Sequence, residues 1–528
     1  MKHISPPSRA VALLGLAFVT LSVPSHANNI TVSAPQLVNN NSIEGYVNVR
    51  FNLSWENSWR TSSPPSNWDA AWIFIKYKDA SGVWHHACLG SETDHVPGIG
   101  TSASLVNGLL TPGAPYDAAN NWAVGVFVYR SGDGSGAFSS DGVELRWNYS
   151  QNSITYGEIT TVKVCAIEMV WIPEGAFYVG SGGTETVHFK DGNTNNPFLI
   201  SSEDALNMSS TMGHLWATSA IETATLPLAF PKGYSGFYMM KDLVSQGQYV
   251  DFLNCLTRVQ QNNRTAADLS AGITYVAHRY VMADSVNSSI RQFICCDSVI
   301  DGYSPITFYC DANGNGIGNE DDDGQWVACN FLSWSDQAAY LDWCGLRPMT
   351  ELEYEKAGRG TAMPVPNEFA WGTTSFTPIW GNLSNAGMID ETGTGNVVSF
   401  DYDLYNVRNT SVWGPARVGI TATPGNTRTE SGAGYYGVLD LTGNLENRVI
   451  SVSIAPGRAF TGVLGNGTLS PGGNADVENW PTVEGFCYRG GDYDVYMGDL
   501  EPLSDRIYAD LSPPYYLHDL WTGARGVR

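Results

Sequence analysis

The stretch Gly345–Gly360, which reads Gly-Leu-Arg-Pro-Met-Thr-Glu-Leu-Glu-Tyr-Glu-Lys-Ala-Gly-Arg-Gly, constrains the chain more than any other. Thr350 followed three residues later by Glu353 is a capping box and predicts a helix start. Glu351, Glu353 and Glu355 load its first turns with the negative charge the helix dipole favours, and Gly358 and Gly360 should stop it. Just upstream, residues 333–344 predict a second helix, with Ser333 or Ser335 as cap and Gly345 as terminator. Two short helices joined through Arg347-Pro348 form a corner. Nothing in it is a nucleophile beside a base, so by itself it reads as scaffold.

The start of the chain has the pattern of an export signal. Lys2 and Arg9 flank it, residues 10–23 are apolar, and Ser25-His26-Ala27 fits a cleavage site. Cleavage there, with 1–27 removed, predicts a secreted, cell-surface or periplasmic protein. The formal net charge of −24 then becomes −26, since Lys2 and Arg9 are lost. So acidic a chain is a poor partner for nucleic acid or an anionic membrane. No later apolar run is long enough to span a bilayer. Nine cysteines in an exported chain permit disulfides and leave at least one unpaired. Adjacent Cys295 and Cys296 should cross-link to Cys310 or Cys329 rather than to each other.

Residues 28–160 read as β. The stretch 46–55 alternates apolar and polar side chains, whereas 71–78 and 122–129 are nearly continuous apolar runs, and 143–149 closes the set. Clusters of Gly, Asn, Ser and Pro between them predict an Ig-like β-sandwich. His85 and His86 have no convergent ligands and read as surface histidines. A second unit, 161–528, opens with a strand, a turn at Pro173-Glu174-Gly175 and another strand. Ser245 should cap a helix with Tyr249, Phe252, Leu253 and Leu256 on one face.

An insertion near 311–324 carries the strongest metal pattern. Asp311, Asn313, Asn315 and Asn319 offer oxygens at loop positions one, three, five and nine. Ile317 would give its carbonyl at seven, Gly316 stands at six, and Asp322 closes the loop at twelve. That spacing predicts Ca²⁺. The other reading is a solvated acidic turn, since flanking helices are not evident.

The order of residues from Trp334 to Gly360 resembles the Ser-Trp…Arg-x-Pro-Thr-Glu-x-Glu-Trp-Glu…Arg-Gly signature of the formylglycine-generating enzyme (sulfatase-modifying factor) family. Met349 is inserted here and Tyr354 stands where a tryptophan is usual. Further likenesses occur at 169–180, 237–254, 370–372, 434–445, 489–493, 505–506 and 523–528. Together the likenesses are spread over about two-thirds of the chain, from Cys165 to its end. The resemblance implies an α+β, C-type-lectin-like domain over 165–528, preceded by the all-β sandwich. It also implies an oxidase that converts a substrate cysteine with copper held by two thiolates. Those would lie four and nine residues past Gly491, where this chain has Val495 and Leu500, so copper is not expected. The family's calcium-binding glutamate position is Asn447, with Glu446 one residue before it. The substrate cleft would be bordered by Arg448, Asp492, Tyr493, Asp494 and Tyr496. Tyrosine rings with a few carboxylates suit a glycan or a peptide strand. The expectation is a non-catalytic binding or structural module, stabilised by calcium, with a glycan, peptide or protein partner or a second copy of itself. The alternative is a sulfatase-activating or related oxidative enzyme with a divergent site.

Overall fold

The computed structural model describes residues 30–108, 123–379, 383–399, 413–423, 425–494, 501–509 and 517–528. The architecture is organised by the strand Asp69–Lys78, nine of whose ten residues are buried. Its odd-numbered residues Ala71, Ile73, Ile75 and Tyr77 enter one core with Val47, Val49, Phe51, Val143 and Leu145. Its even-numbered residues Ala70, Trp72 and Phe74 enter another core with Tyr340, Leu341 and Trp343. Successive side chains of a strand point to opposite faces, so a strand buried at nine of ten positions must lie between two layers. Each large side chain so buried contributes roughly 1.5–3 kcal/mol.

One outer layer is a five-stranded antiparallel sheet. It runs Thr31–Val32, Tyr46–Arg60, Gly134–Trp147 and Ile99–Gly100, with Gln36–Asn41 along Tyr46–Arg60. The middle layer is an eight-stranded antiparallel sheet. Its order is Arg347–Pro348, Gly526–Val527, Phe237–Met240, Thr161–Ile172, Asp69–Lys78, Gly125–Arg130 and Ala103–Gly108, with Trp84–His86 beside Asp69–Lys78. Thr161–Ile172 pairs Asp69–Lys78 over ten positions on one edge and Phe237–Met240 on the other. The two halves of the chain therefore share one sheet. Trp72 Nε1 donates to the carbonyl of Cys344 at 2.8 Å, and Lys76 Nζ donates to the carbonyls of Trp343 and Gly467 at 2.6 and 2.7 Å.

The α+β expectation is corrected. Strands hold 30% of the chain and helices 10%, in several antiparallel sheets, so the chain is mostly β. The signature helices exist but are short, Trp334–Trp343 and Glu351–Arg359. Around them the chain turns on glycines and asparagines at positive φ instead of extending into helix. Ser333 and Thr350 are the caps, each in a capping box with Asp336 and Glu353. Gly358 lies inside the second helix and Gly360 ends it at φ 66°. The Ser245-capped helix spans Gln246–Leu253, which leaves Leu256 beyond its end.

All nine cysteines are free thiols, so the expected cross-links of Cys295 and Cys296 are not formed. Cys295 instead faces Tyr309 across a strand pair, and its Sγ accepts from Arg279 Nη2 at 3.6 Å. His86 is not on the surface. It is buried, stacks on Phe74 and has Nε2 2.6 Å from the carbonyl of Val124; burial holds its imidazole well below the usual value. Among the described residues no helix is long and apolar enough to cross a membrane.

Candidate functional site

The carboxylates of helix Glu351–Arg359 point inward and are matched by arginines, Arg347 and Arg359 from nearby and Arg489 and Arg506 from distant segments. Glu351 accepts from Arg506 Nε and Nη2 at 2.6 and 3.0 Å, from Arg489 Nη1 at 3.2 Å and from the Val452 amide at 2.8 Å. Glu355 accepts from Arg489 Nη2 and Arg359 Nη1, both at 2.9 Å, from Ser504 Oγ at 3.0 Å and from the Gly180 amide at 2.7 Å. Arg347 grips Glu353 through two nitrogens at 2.9 and 2.6 Å. Burial alone would raise the Glu355 carboxyl, but Arg489 and Arg359 outweigh it and hold it below the usual value. Each carboxylate is saturated by donors, which is the arrangement of a framework.

Strand Asn447–Ile450 pairs Phe486–Arg489, with Asn447 opposite Arg489 and Arg448 opposite Tyr488. Alternation puts Asn447 on the framework face, where its Oδ1 accepts from Arg525 Nε at 3.0 Å and its Nδ2 donates to the carbonyl of Asp440 at 3.2 Å. That carbonyl oxygen is committed to an arginine. Arg448 faces the other way and is 1% exposed, its guanidinium 5.5 Å from the Tyr488 ring. Its Nε and Nη1 find no hydrogen-bond partner among the described residues.

Carboxylates gather beside it. Burial, then the charges of Asp492, Glu501 and Asp519, push the Glu446 carboxyl well above its usual value against the pull of Arg448. Burial also lifts Asp492 to about 7 and Glu501 to about 8. The structure thus brings Arg448, Asp492, Asp494 and Glu446 to one place. Tyr493 is core: it is fully buried, with Trp413 and Trp521 at 5.8 and 5.3 Å. It supplies no exposed ring to a cleft. Tyr496, Val495 and Leu500 lie outside the described residues. Glu501 and Asp519 were not legible as partners, because only long-range folding joins them to Glu446.

The acidic loop is distributed differently from its spacing. Asp311 is fully buried; one oxygen, Oδ2, takes Arg279 Nη2 and the Gly316 amide. Asn319 is spent on the backbone of Cys310, at 3.2 Å through its Oδ1 and 3.0 Å through its amide. Asn313 Nδ2 donates to Asp322 Oδ1 at 3.1 Å, and Asn315 Nδ2 to Glu320 Oε2 at 2.6 Å. The Ile317 amide donates to Asn315 Oδ1 at 2.7 Å, and its side chain is exposed. Glu320, Asp322 and Asp323 each place a carboxylate oxygen within 4.8 Å of the others. The spacing missed Glu320 and Asp323, although both lie in the same acidic run.

The rings and polar groups expected of a ligand site occur together elsewhere. A cavity of about 390 Å³ opens where Trp59, Asn57 and Asn67 of the first half meet Lys241, Arg428 and Tyr435 of the second. Trp59 and Tyr435 are half-buried. Lys241 Nζ lies 4.8 Å from the Trp59 ring and is fixed by Glu168 at 2.6 Å. Arg428 lies 5.5 Å from the Tyr435 ring and is fixed by the carbonyls of Gly358 and Ala370, both at 2.7 Å. Two further cavities, of about 520 and 340 Å³, do not count Arg448 among their lining residues. No protein-family model matches the chain, and no curated protein matches it.

Proposed function

We propose that this chain is an exported binding module, secreted or held at the cell surface, whose sulfatase-modifying-factor-like residues serve as framework rather than as catalyst. The observation that carries it is the 390 Å³ cavity at the junction of the two halves. Trp59 and Tyr435 supply ring area there, while Lys241, Arg428 and the asparagine amides supply fixed direction. Ring faces with a few oriented polar groups suit a polar ligand such as a glycan or an extended peptide. The Glu351 and Glu355 carboxylates support the framework role, since both are fully buried and each is held by two arginines.

A second reading, a divergent enzyme, draws on the raised carboxyls of Glu446, Asp492 and Glu501 beside Arg448. Strongly shifted groups in one place are candidates for proton handling.

Glycan and peptide arrays probed with the mature protein separate the ligand classes and the sites. Trp59→Ala with Tyr435→Ala should abolish the hits, while Arg448→Ala with Asp492→Ala should leave them. The opposite pattern would move the site to the Arg448 cluster and favour the second reading.

A further inference from the structure

We propose that the loop 311–323 holds a calcium ion through the carboxylates of Glu320, Asp322 and Asp323, with the buried Asp311 carboxylate adding its charge beside them. Asp311 and Asp323 are both 0% exposed, and the Oδ1 of each has no hydrogen-bond partner among the described residues. Their other oxygens are occupied: Asp311 Oδ2 by Arg279 and the Gly316 amide, Asp323 Oδ2 by the Glu320 amide at 2.7 Å. A buried carboxylate oxygen without a donor is costly, and the cost rises with its charge. Glu320, Asp322 and Asp323 already lie within 4.8 Å of one another, as oxygens around one ion at 2.3–2.6 Å must.

Charge points the same way. Burial and then the charges of Asp311, Asp322 and Glu320 raise the Asp323 carboxyl, so these four groups feel one another. Arg279 reaches the loop from outside it and meets Asp311 on the Oδ2 side. Four carboxylates against one guanidinium leave a site of charge −3. A hard divalent cation with flexible, oxygen-only coordination fits it, and calcium is preferred over magnesium, which demands a tighter octahedron and keeps its waters. The set differs from the sequence spacing. Asn319 is committed to Cys310, and Asn313 and Asn315 flank the carboxylates through their amide nitrogens.

The ion would brace more than its own loop. The Gly324 amide donates to the carbonyl of Gly387 at 2.9 Å, and the Ile389 amide to that of Asp321 at 3.2 Å. Glu391, at the end of that second segment, accepts from the Arg417 and Gly387 amides at 2.8 and 2.6 Å and pairs with Arg291. Filling the loop should therefore slow opening of 383–391 too. None of this depends on whether the chain is catalytic.

The test uses the mature chain stripped with chelator and titrated with CaCl₂ by calorimetry, with Tb³⁺ luminescence as a second readout. Tyr280 is a near sensitiser, since its hydroxyl donates to the carbonyl of Asp311 at 2.8 Å. One site is expected, with Kd at least tenfold weaker in Asp322→Asn and in Glu320→Gln and changed less than threefold in Asn315→Ala. Hydrogen exchange should show calcium-dependent protection confined to 311–324 and 383–391. Absence of heat and luminescence in the wild type up to millimolar calcium would overturn the site. Equal losses in Asn315→Ala and Asp322→Asn would overturn this ligand set in favour of the spacing-derived one. Protection centred on 446–450 would place the ion elsewhere and reject the loop.

Discussion

Arg489 and Glu355 meet at 2.9 Å in an interior that exposes neither side chain. Arg489 also reaches Glu351 at 3.2 Å, so a single guanidinium ties two turns of one helix to a strand 134 to 138 residues away in sequence. Removing Arg489 takes a donor from each of two buried carboxylates, with Arg506 and Arg359 left beside them, so the cost should sit near the lower end of the about 3–5 kcal/mol typical of a broken buried pair. Arg489→Met should lower stability by that order in urea unfolding. Arg489→Lys should rescue little, because a single ammonium cannot span both carboxylates as the planar fork does. A loss under about 1 kcal/mol in Arg489→Met would mean the network is dispensable.

The shared middle sheet makes a second prediction. Deleting residues 28–160 strips Asp69–Lys78 from the edge of Thr161–Ile172, a pairing of ten registered positions. It also uncovers the surface of Tyr340, Leu341 and Trp343 that Trp72 and Phe74 cover. A strand edge and an apolar face exposed together are an aggregation template. The chain starting at residue 161 should be insoluble or melt without cooperativity in circular dichroism. Two separately soluble halves, each with a sharp melt, would contradict this.

What the sequence disclosed and what it hid divide along the range of the interactions. The caps Ser333, Thr350 and Ser245 were legible because a capping box is written within four residues. Asp69–Lys78 was legible as a buried strand, since continuous apolar runs have few other uses. The class was not: the resemblance implied α+β, yet the helices Trp334–Trp343 and Glu351–Arg359 span too few residues to outweigh sheets whose partners lie far apart. Asn447 and Tyr493 looked like site residues by position and are spent on Arg525 and on core packing. The seam cavity was invisible, because Trp59 and Tyr435 meet only once Asn67 and Tyr436, 369 residues apart, hydrogen-bond. Spacing pointed to the acidic loop but could not show that Asn319 is already committed to Cys310.

A third prediction concerns pH. The Asp492 and Glu501 carboxyls lie at about 7 and about 8 in the fold, above the value of about 4 expected in an unfolded chain. Burial is the main cause; Asp494 and Asp519 add to it around Asp492, and Asp505 and Asp492 around Glu501. The Asp494 and Gly491 amides and Arg489 oppose it. With folded values raised, their contribution is fully present below about pH 4 and is lost as pH climbs through about 7 and 8. The slope for each group is at most about 1.4 kcal/mol per pH unit. Glu355 works the other way, since its lowered carboxyl adds stability that disappears in acid. Glu501→Gln should therefore gain on the wild type between pH 5 and 8 in thermal melts. A constant difference across that range would refute the assignment.

The last prediction is that the mature protein, given Cu(I), oxygen and a sulfatase-type cysteine peptide, forms no formylglycine. Cu(I) needs soft ligands, and carbon side chains supply none. Val495 and Leu500 stand where the resemblance would require the two thiolates. Cys487 is the nearest thiol to Arg489 in sequence, but it is fully buried opposite Val449. Burial, followed by the charge of Glu351, pushes that thiol above its usual value, away from the thiolate form a metal takes. It also offers one sulfur where linear coordination takes two. Mass spectrometry of the peptide should show the cysteine unchanged after prolonged incubation. Conversion that requires this chain and disappears in Asp492→Ala would place a working oxidative centre beside Arg448, and the framework reading of the signature would fall with it.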